Sequence, residues 1–206
     1  MLPLQQFQDF IKSNALFTAN DKVLLAVSGG KDSVLMVQLF KQCNYSFSIA
    51  HCNFNLRGDE AQRDESFVRL LAHTFDVPFH VAHFETKAYA LANQLSTQMA
   101  ARTLRYNWFE QIKQEYNYQY IAIAQHQNDA IETVLLNLTR GTGISGLHGI
   151  LPKRDSIVRP LLFLSRQEIN NFIETNQIDF VEDSSNQTST YARNNIRLNV
   201  VPHLQA

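Results

Sequence analysis

Three short stretches of the 206-residue chain hold side chains able to do chemistry. The first is Ser28-Gly29-Gly30-Lys31-Asp32-Ser33. Paired glycines let the backbone take angles closed to other residues and come close to a ligand. A helix starting there would offer unpaired N–H groups and the positive end of its dipole to an anion. Ser28 and Ser33 add hydroxyl donors. Asp32 adds a carboxylate, which suits a phosphate cradle if a Mg²⁺ bridges the two. The plainer reading is a tight strand–helix connection with Asp32 or Ser33 as the N-cap. In the second stretch His126, Asp129 and Glu132 stand at i, i+3 and i+6. On one helix face the two carboxylates project together and repel, unless a Mg²⁺ or a substrate ammonium sits between them. A solvated helix face is the alternative. The third stretch places Arg102 and Arg105 one helical turn apart. Their guanidinium forks suit phosphate, and the alternative is an exposed stripe.

Elements must bring these stretches together. Residues 23–27 are an apolar run that breaks at Ser28-Gly29-Gly30, after which Leu35, Met36, Leu39 and Phe40 recur at helical spacing. That predicts strand, turn and helix N-terminus. A short helix over 7–19 precedes it. Residues 45–52 predict a second strand, 59–75 a helix with Phe67, Leu70 and Leu71 inward, and 78–82 a third strand. A long helix runs from Ser96 to about Tyr116, capped by Ser96 or Thr97. Residues 120–124 predict a fourth strand, and a helix follows from Asn128 to about Thr139. Alternation at this spacing predicts an α/β fold, a parallel twisted sheet with helices on both faces. Ligands in such sheets sit beyond the carboxyl ends of the strands, where all three stretches fall.

Gly141 to Gly149 matches G-x-G-x-x-G by letter, but it follows a helix rather than a strand, which rejects a dinucleotide site. It reads as a mobile active-site loop or as a helix stop. Residues 158–162 predict an edge strand, because Pro160 cannot donate to a ladder. Ser165-Arg166-Gln167-Glu168 is a capping box opening a helix to about Thr175. From Asp183 the tail is polar and then helical.

Hydrophobic content of 45% and charged content of 18% describe a globular chain of about one domain. No apolar run approaches the ~20 residues that span a bilayer, and the N-terminus lacks the features of a signal peptide. Cys43 and Cys52 are not spaced as C-x-x-C, so both read as small buried residues in a reducing cytoplasm. A net charge of -1 permits a local basic patch but no broad nucleic-acid face. His51, His73, His80, His83, His148 and His203 show no ligand spacing. Tyr106, Trp108 and Phe109 read as packing for the long helix.

Ser-Gly-Gly-x-Asp-Ser over residues 28–33 resembles the pyrophosphate loop of the PP-loop ATP pyrophosphatase superfamily, not the Walker loop. Those enzymes split ATP between the α and β phosphates and use AMP to activate a carbonyl oxygen. Residues 123–133 resemble the H-x-x-D-x-x-E-T signature of the tRNA-modifying branch. Asn53-Phe54-Asn55-Leu56-Arg57, Ala100-Ala101-Arg102 with Arg105-Tyr106, Arg159-Pro160-Leu161, Asp183-Ser184-Ser185-Asn186 and Arg193-Asn194-Asn195-Ile196-Arg197 follow the family order. Together they resemble the tRNA(Ile)-lysidine synthetase family from about residue 20 to 204. The resemblance implies a Rossmann-like PP-loop fold as a single domain over 1–206, with 184–206 leading toward a C-terminal linker and tRNA-binding region.

The chemistry it implies has two steps. ATP adenylates O2 of the wobble cytidine in the CAU anticodon of isoleucine tRNA, and the ε-amino group of free L-lysine then attacks C2 to give lysidine. Residues Ser28, Gly29, Gly30, Lys31, Asp32 and Ser33 would bind the departing pyrophosphate. Asp32 would hold Mg²⁺, with Asp129 as a second metal carboxylate, and Arg105 would stabilise charge on the α-phosphate. His126 stands with Asp129 and Glu132, which would gather the lysine ammonium or a second Mg²⁺ and take a proton. Arg102, Arg193 and Arg197 would meet nucleotide or tRNA phosphate. The implied protein is cytoplasmic, with no membrane partner and with a homodimer left open. Lys31 also resembles the S-G-G-K-D-S of tRNA thiolases, a rival disfavoured by the missing cysteine pair. A second rival, an ATP-binding sensor without chemistry, would not need the carboxylates and arginines at the strand ends.

Overall fold

Val23-Leu24-Leu25 is apolar on both faces, which suits a strand covered on two sides. It is the centre of the sheet. In a computed structural model describing residues 1–182 and 192–204, the chain begins with α1 (Leu4–Ser13), β1 (Val23–Ala26) and α2 (Lys31–Gln42). β2 (Phe47–Asn53), α3 (Asp59–Phe75), β3 (Phe79–His83), α4 (Thr86–Ala92) and α5 (Thr97–Glu115) come next. Then follow β4 (Tyr120–Ile123), α6 (Gln127–Thr139), a 3₁₀ helix (Ile144–His148), β5 (Lys153–Arg154), β6 (Ile157–Val158) and α7 (Arg166–Thr175). The described chain ends in α8 (Ala192–Asn195), a π-helical turn (Ile196–Val200) and α9 (Val201–Leu204).

The strands form one sheet in the order β3-β2-β1-β4-β6-β5. All pairings are parallel except β5 against β6. The chain builds outward from β1 through β2 to β3 and then crosses back to place β4 on the other side of β1. The strand order therefore reverses between β1 and β4, and a crevice opens beyond their carboxyl ends. Alternation along β1 divides the core. Leu25, with Ile49 and Ala122 beside it, joins Phe7, Leu39 and Phe40 of α1 and α2 and Ile169 and Ile173 of α7. Leu24, Ala50 and Ile121 pack with Phe109 and Ile112 of α5. Phe40 is fully buried, so its truncation to Ala would cost about 3–5 kcal/mol.

Three expectations are corrected, one of them Leu70 of α3, which is 62% exposed rather than inward. The first helix covers Leu4–Ser13 rather than 7–19, because Ala15 turns left-handed and its N–H and that of Leu16 bond back to Lys12 and Ile11. The segment to Phe17 continues without helix, and Phe17 stacks on Phe40 at 5.2 Å. The strand expected over 158–162 is Ile157–Val158, inside the sheet, with β5 as the edge; Pro160 lies past its end and disturbs no ladder. α4 was not predicted; its buried Thr86 donates from Oγ1 to the Phe54 carbonyl at 2.8 Å, fixing the chain after β3. Between the two readings of Gly141–Gly149, the helix stop describes its start. Gly141 has φ +73°, and the N–H groups of Gly141 and Thr142 close on Leu138 and Asn137. The remaining boundaries lie close to expectation, with Ser96 capping α5 by accepting from the Met99 N–H at 3.2 Å. The Asp183–Asn186 motif lies outside the described residues.

Candidate active site

Beyond β1 the chain needs a turn tight enough to start α2 at once. Gly29 supplies it with φ +95°, and a Cβ there would stand 2.5 Å from Val181 Cγ2. The close approach is used: the Val181 N–H donates to the Gly29 carbonyl at 3.0 Å. Neither Asp32 nor Ser33 is the N-cap of α2. Gly30 takes that place with extended backbone and no side-chain cap. Ser33 instead donates from Oγ to the Gly30 carbonyl at 2.9 Å and accepts from the Gly29 N–H at 3.2 Å. Asp32 is thereby left in the first turn, at the helix's positive end.

The β1–β4 pairing sets Ala26 beside Ile123, which brings the residues after β4 against this turn. His126, the N-cap of α6, is 1% exposed. Its Nε2 lies 3.8 Å from Asp32 Oδ2 and 3.6 Å from Asp129 Oδ2. Asp129 Oδ2 also accepts the His126 N–H at 3.0 Å. Nδ1 of His126 is buried without a hydrogen-bond partner among the described residues. Burial raises the Asp32 carboxyl above its usual range, against the pull of His126. Its side chain keeps 43% of its surface open to the crevice, so that burial comes from the surrounding walls rather than from close cover.

Glu132 is 2% exposed, and its Oε1 accepts from Arg166 Nη2 at 3.1 Å. The Arg166 N–H also bonds to Asn128 Oδ1 at 2.9 Å, so the starts of α6 and α7 are tied together. Periodicity along α6 cannot reveal Arg166 as a partner. Only the sheet order brings α7 there, and the sequence shows Arg166 merely as a helix-capping neighbour.

The crevice encloses about 730 Å³. Its lining includes Ser28, Gly30, Lys31, Asp32 and Ser33 from the turn and small apolar groups such as Ala26 and Ala50 from the sheet. Arg57, Arg105, Arg166 and Arg197 supply charge, whereas His126, Asp129 and Glu132 stand behind this lining. Arg57 Nη2 contacts Asp64 Oδ2 at 3.0 Å, and Arg63 holds the other oxygen of this buried carboxylate at 2.8 Å. Arg105 rests over the Phe54 ring, 5.1 Å from its centroid. Lys31 donates to Asn170 Oδ1 at 3.1 Å and lies 4.9 Å from the Phe180 ring centroid. Arg102 covers the Tyr106 ring at 4.8 Å and does not line the crevice. The side chain of Arg193 lies outside the described residues. Asp64, Asn170 and Phe180 carried no spacing that would have singled them out.

Cys52 lines the crevice with its thiol pushed by burial up to about 12, so it stays protonated, while Cys43 packs against the larger core. Among the described residues no three His, Cys, Asp or Glu side chains converge as a cage for a metal ion. One accessible carboxylate beside a phosphate-type turn still fits Mg²⁺, which commonly takes one or two carboxylates and fills its shell with phosphate and water. Among the described residues no helix is long and apolar enough to cross a membrane.

Comparison with known proteins agrees with this geometry. The chain is 48% identical over 196 residues to a tRNA(Ile)-lysidine synthase of Bacteroides thetaiotaomicron, covering 95% of this chain and 46% of that protein. It is 38% identical to one of Petrotoga mobilis, covering 97% of this chain and 66% of that protein. The chain thus spans about half to two thirds of these relatives' length. Among solved structures, a U34-tRNA thiolase of Methanococcus maripaludis superposes with a TM-score of 0.74 at 17% identity, over 93% of this chain and 70% of that one. An NH3-dependent NAD synthetase of Campylobacter jejuni gives 0.59 at 16% identity, over 85% and 72%. At such identities these two show a shared fold alone. The PP-loop domain pattern matches residues 3–204, and the chain belongs to the PP-loop domain family.

Proposed function

We propose that this protein joins L-lysine to C2 of the wobble cytidine of an isoleucine tRNA, converting ATP to AMP and pyrophosphate. The observation that carries the reading is the turn at Ser28–Ser33 with Asp32 set 3.8 Å from the buried His126, in a chain similar to proteins named tRNA(Ile)-lysidine synthase. In the first step cytidine O2 attacks the α-phosphorus and the bond to the β-phosphate oxygen breaks. In the second, the lysine amine, having lost a proton, attacks C2; the C2–O2 bond breaks and AMP leaves.

The chain's own groups suit these steps. The start of α2 and the Ser28 hydroxyl receive the pyrophosphate, Lys31 adds charge beside it, and Arg105 meets charge growing on the α-phosphate. Asp32, with Asp129 as second carboxylate, would hold Mg²⁺, which would supply charge neutralisation at the phosphates. Glu132 acts through Arg166, and the lysine ammonium gives its proton to solvent. Arg102, Arg193 and Arg197 meet tRNA phosphate. AMP release and lysidine formation, measured with a saturating CAU anticodon stem-loop and lysine, test this. Both should require lysine. Sulfur incorporation in place of lysine, or ATP binding without turnover, would overturn it.

A further inference from the structure

Lys31 and Arg105 share a feature that Arg57 and Arg166 lack. Neither forms an ion pair with a carboxylate of the described residues. Arg105 lies against the face of Phe54, and Lys31 against Phe180 with the neutral Asn170 amide as its acceptor. A ring face attracts a cation through its quadrupole and leaves the charge uncompensated, whereas a carboxylate cancels most of the field beyond the pair. Both rings are themselves fixed. Phe54 stacks on Phe84 at 5.5 Å, and Phe84 meets Trp108 edge-on at 6.1 Å. Phe180 precedes Val181, whose N–H is tied to the turn at Gly29. Rings and cations all line the crevice, apart from the supporting Phe84 and Trp108.

We infer that Phe54 and Phe180 are positioning residues: their ring faces hold Arg105 and Lys31 at the crevice wall with charge directed to the phosphates of the nucleotide. The inference rests on the reading that Lys31 and Arg105 bind phosphate. Phe180 orders the ammonium beside the pyrophosphate turn. Phe54 orders the guanidinium that α5 carries at the crevice lining. A mobile lysine or arginine would have to be ordered by the ligand itself, which weakens binding.

The test compares a charged probe with a neutral one. For Phe180, affinities for magnesium pyrophosphate and for adenosine are measured by calorimetry on the full chain, with thermal unfolding followed in parallel. Phe180→Leu should weaken pyrophosphate about two- to fivefold and leave adenosine unchanged, the range given by an exposed cation–ring contact. Phe180→Tyr keeps the ring and should restore the affinity, which separates positioning from a folding defect. Lys31→Met should weaken pyrophosphate roughly ten- to a hundredfold, and adding Phe180→Leu to it should then change nothing further. For Phe54 the same cycle runs with Arg105→Met, using AMP against adenosine. Loss of adenosine affinity in step with the charged probe would overturn the inference, because the ring would then stack on the base. An undiminished effect of the Phe variant without its cation would overturn it too. If Lys31→Met weakens pyrophosphate and Phe180→Leu does not, positioning fails while the phosphate role stands. If Lys31→Met itself changes nothing, the failure lies in the phosphate role.

Discussion

Two kinds of cation meet in one crevice. Arg57 and Arg166 are each held by a carboxylate, and in both pairs the acid carries the burial: the arginine side chains are 33% exposed, while Asp64 and Glu132 are 5% and 3%. Arg105 and Lys31 are held by rings. The carboxylate pairs join elements, α3 to the loop after β2 and α6 to α7, so their charge is committed to building the walls. A buried carboxylate stripped of its partner is strongly unfavourable, which ties each wall to its arginine. Charge held by a ring remains available to a ligand. Counting arginines near a site would therefore overstate its positive character; what each one touches decides which of them acts on substrate.

The sharpest break in this division is at Asp32, a carboxylate of the crevice lining. Asp32→Asn should keep the fold and lower ATP turnover by about 10²–10³, as loss of several kcal/mol of metal-assisted charge stabilisation requires. Pyrophosphate release at the parent rate by a folded variant would remove Asp32 from the chemistry. Next come the cations themselves. Arg105→Met should reduce turnover roughly tenfold to a hundredfold while moving stability by no more than about 0.5 kcal/mol, the usual range for a surface change. Asp64→Asn and Glu132→Gln should do the reverse first, lowering stability by about 1–3 kcal/mol, a shift of a few degrees in Tm for a domain of this size. If Arg105→Met unfolds the chain, or Asp64→Asn leaves its Tm unchanged, the two classes are not distinct.

The ring-held cations and their supports were unequally legible in the sequence. Arg105 and Lys31 lay inside recognisable motifs. Phe54 was part of a quoted motif without a role, and Phe180 belonged to none, because contact between residues 31 and 180 depends on how α7 returns over the sheet. The parallel sheet was legible because strands alternate with helices, and the placement of the motifs put the site beyond the strands' carboxyl ends; the strand order, and with it the switch point, was not. β5 and α4 were not: a two-residue edge strand has no period to read, and α4 is fixed by one buried threonine hydroxyl. Lone motifs named Glu132 but not its partner. The local pattern reports which face of a helix is polar, and tertiary packing alone decides whether that face meets water or an arginine.

His51 offers the smallest effect and a third way to accommodate a basic group. It is 4% exposed, and its Nδ1 lies 2.9 Å from the Val27 carbonyl, immediately before the phosphate turn. A carbonyl can only accept, so Nδ1 carries a proton. Burial lowers its pKa below the ordinary 6.5; the Val27 carbonyl, Glu65 and Asp64 oppose this weakly, and His83 adds to it. Arginine cannot give up its charge and so needs a carboxylate or a ring, whereas histidine meets the same burial by staying neutral. Between the lowered folded value and 6.5 the unfolded chain binds more protons than the folded one, so stability rises with pH across that window. The contribution is complete above 6.5 and is lost as the pH falls through the window. His51→Asn keeps an N–H donor near Val27 and removes the titration. Its Tm should therefore fall less steeply than the parent's between about pH 7 and pH 5, whatever its absolute level. His80, lowered by burial in the same sense, still contributes to the slope in both proteins and cancels in the difference. Parallel slopes would mean that His51 titrates alike in the folded and unfolded chain, with the Val27 carbonyl, Glu65 and Asp64 offsetting its burial.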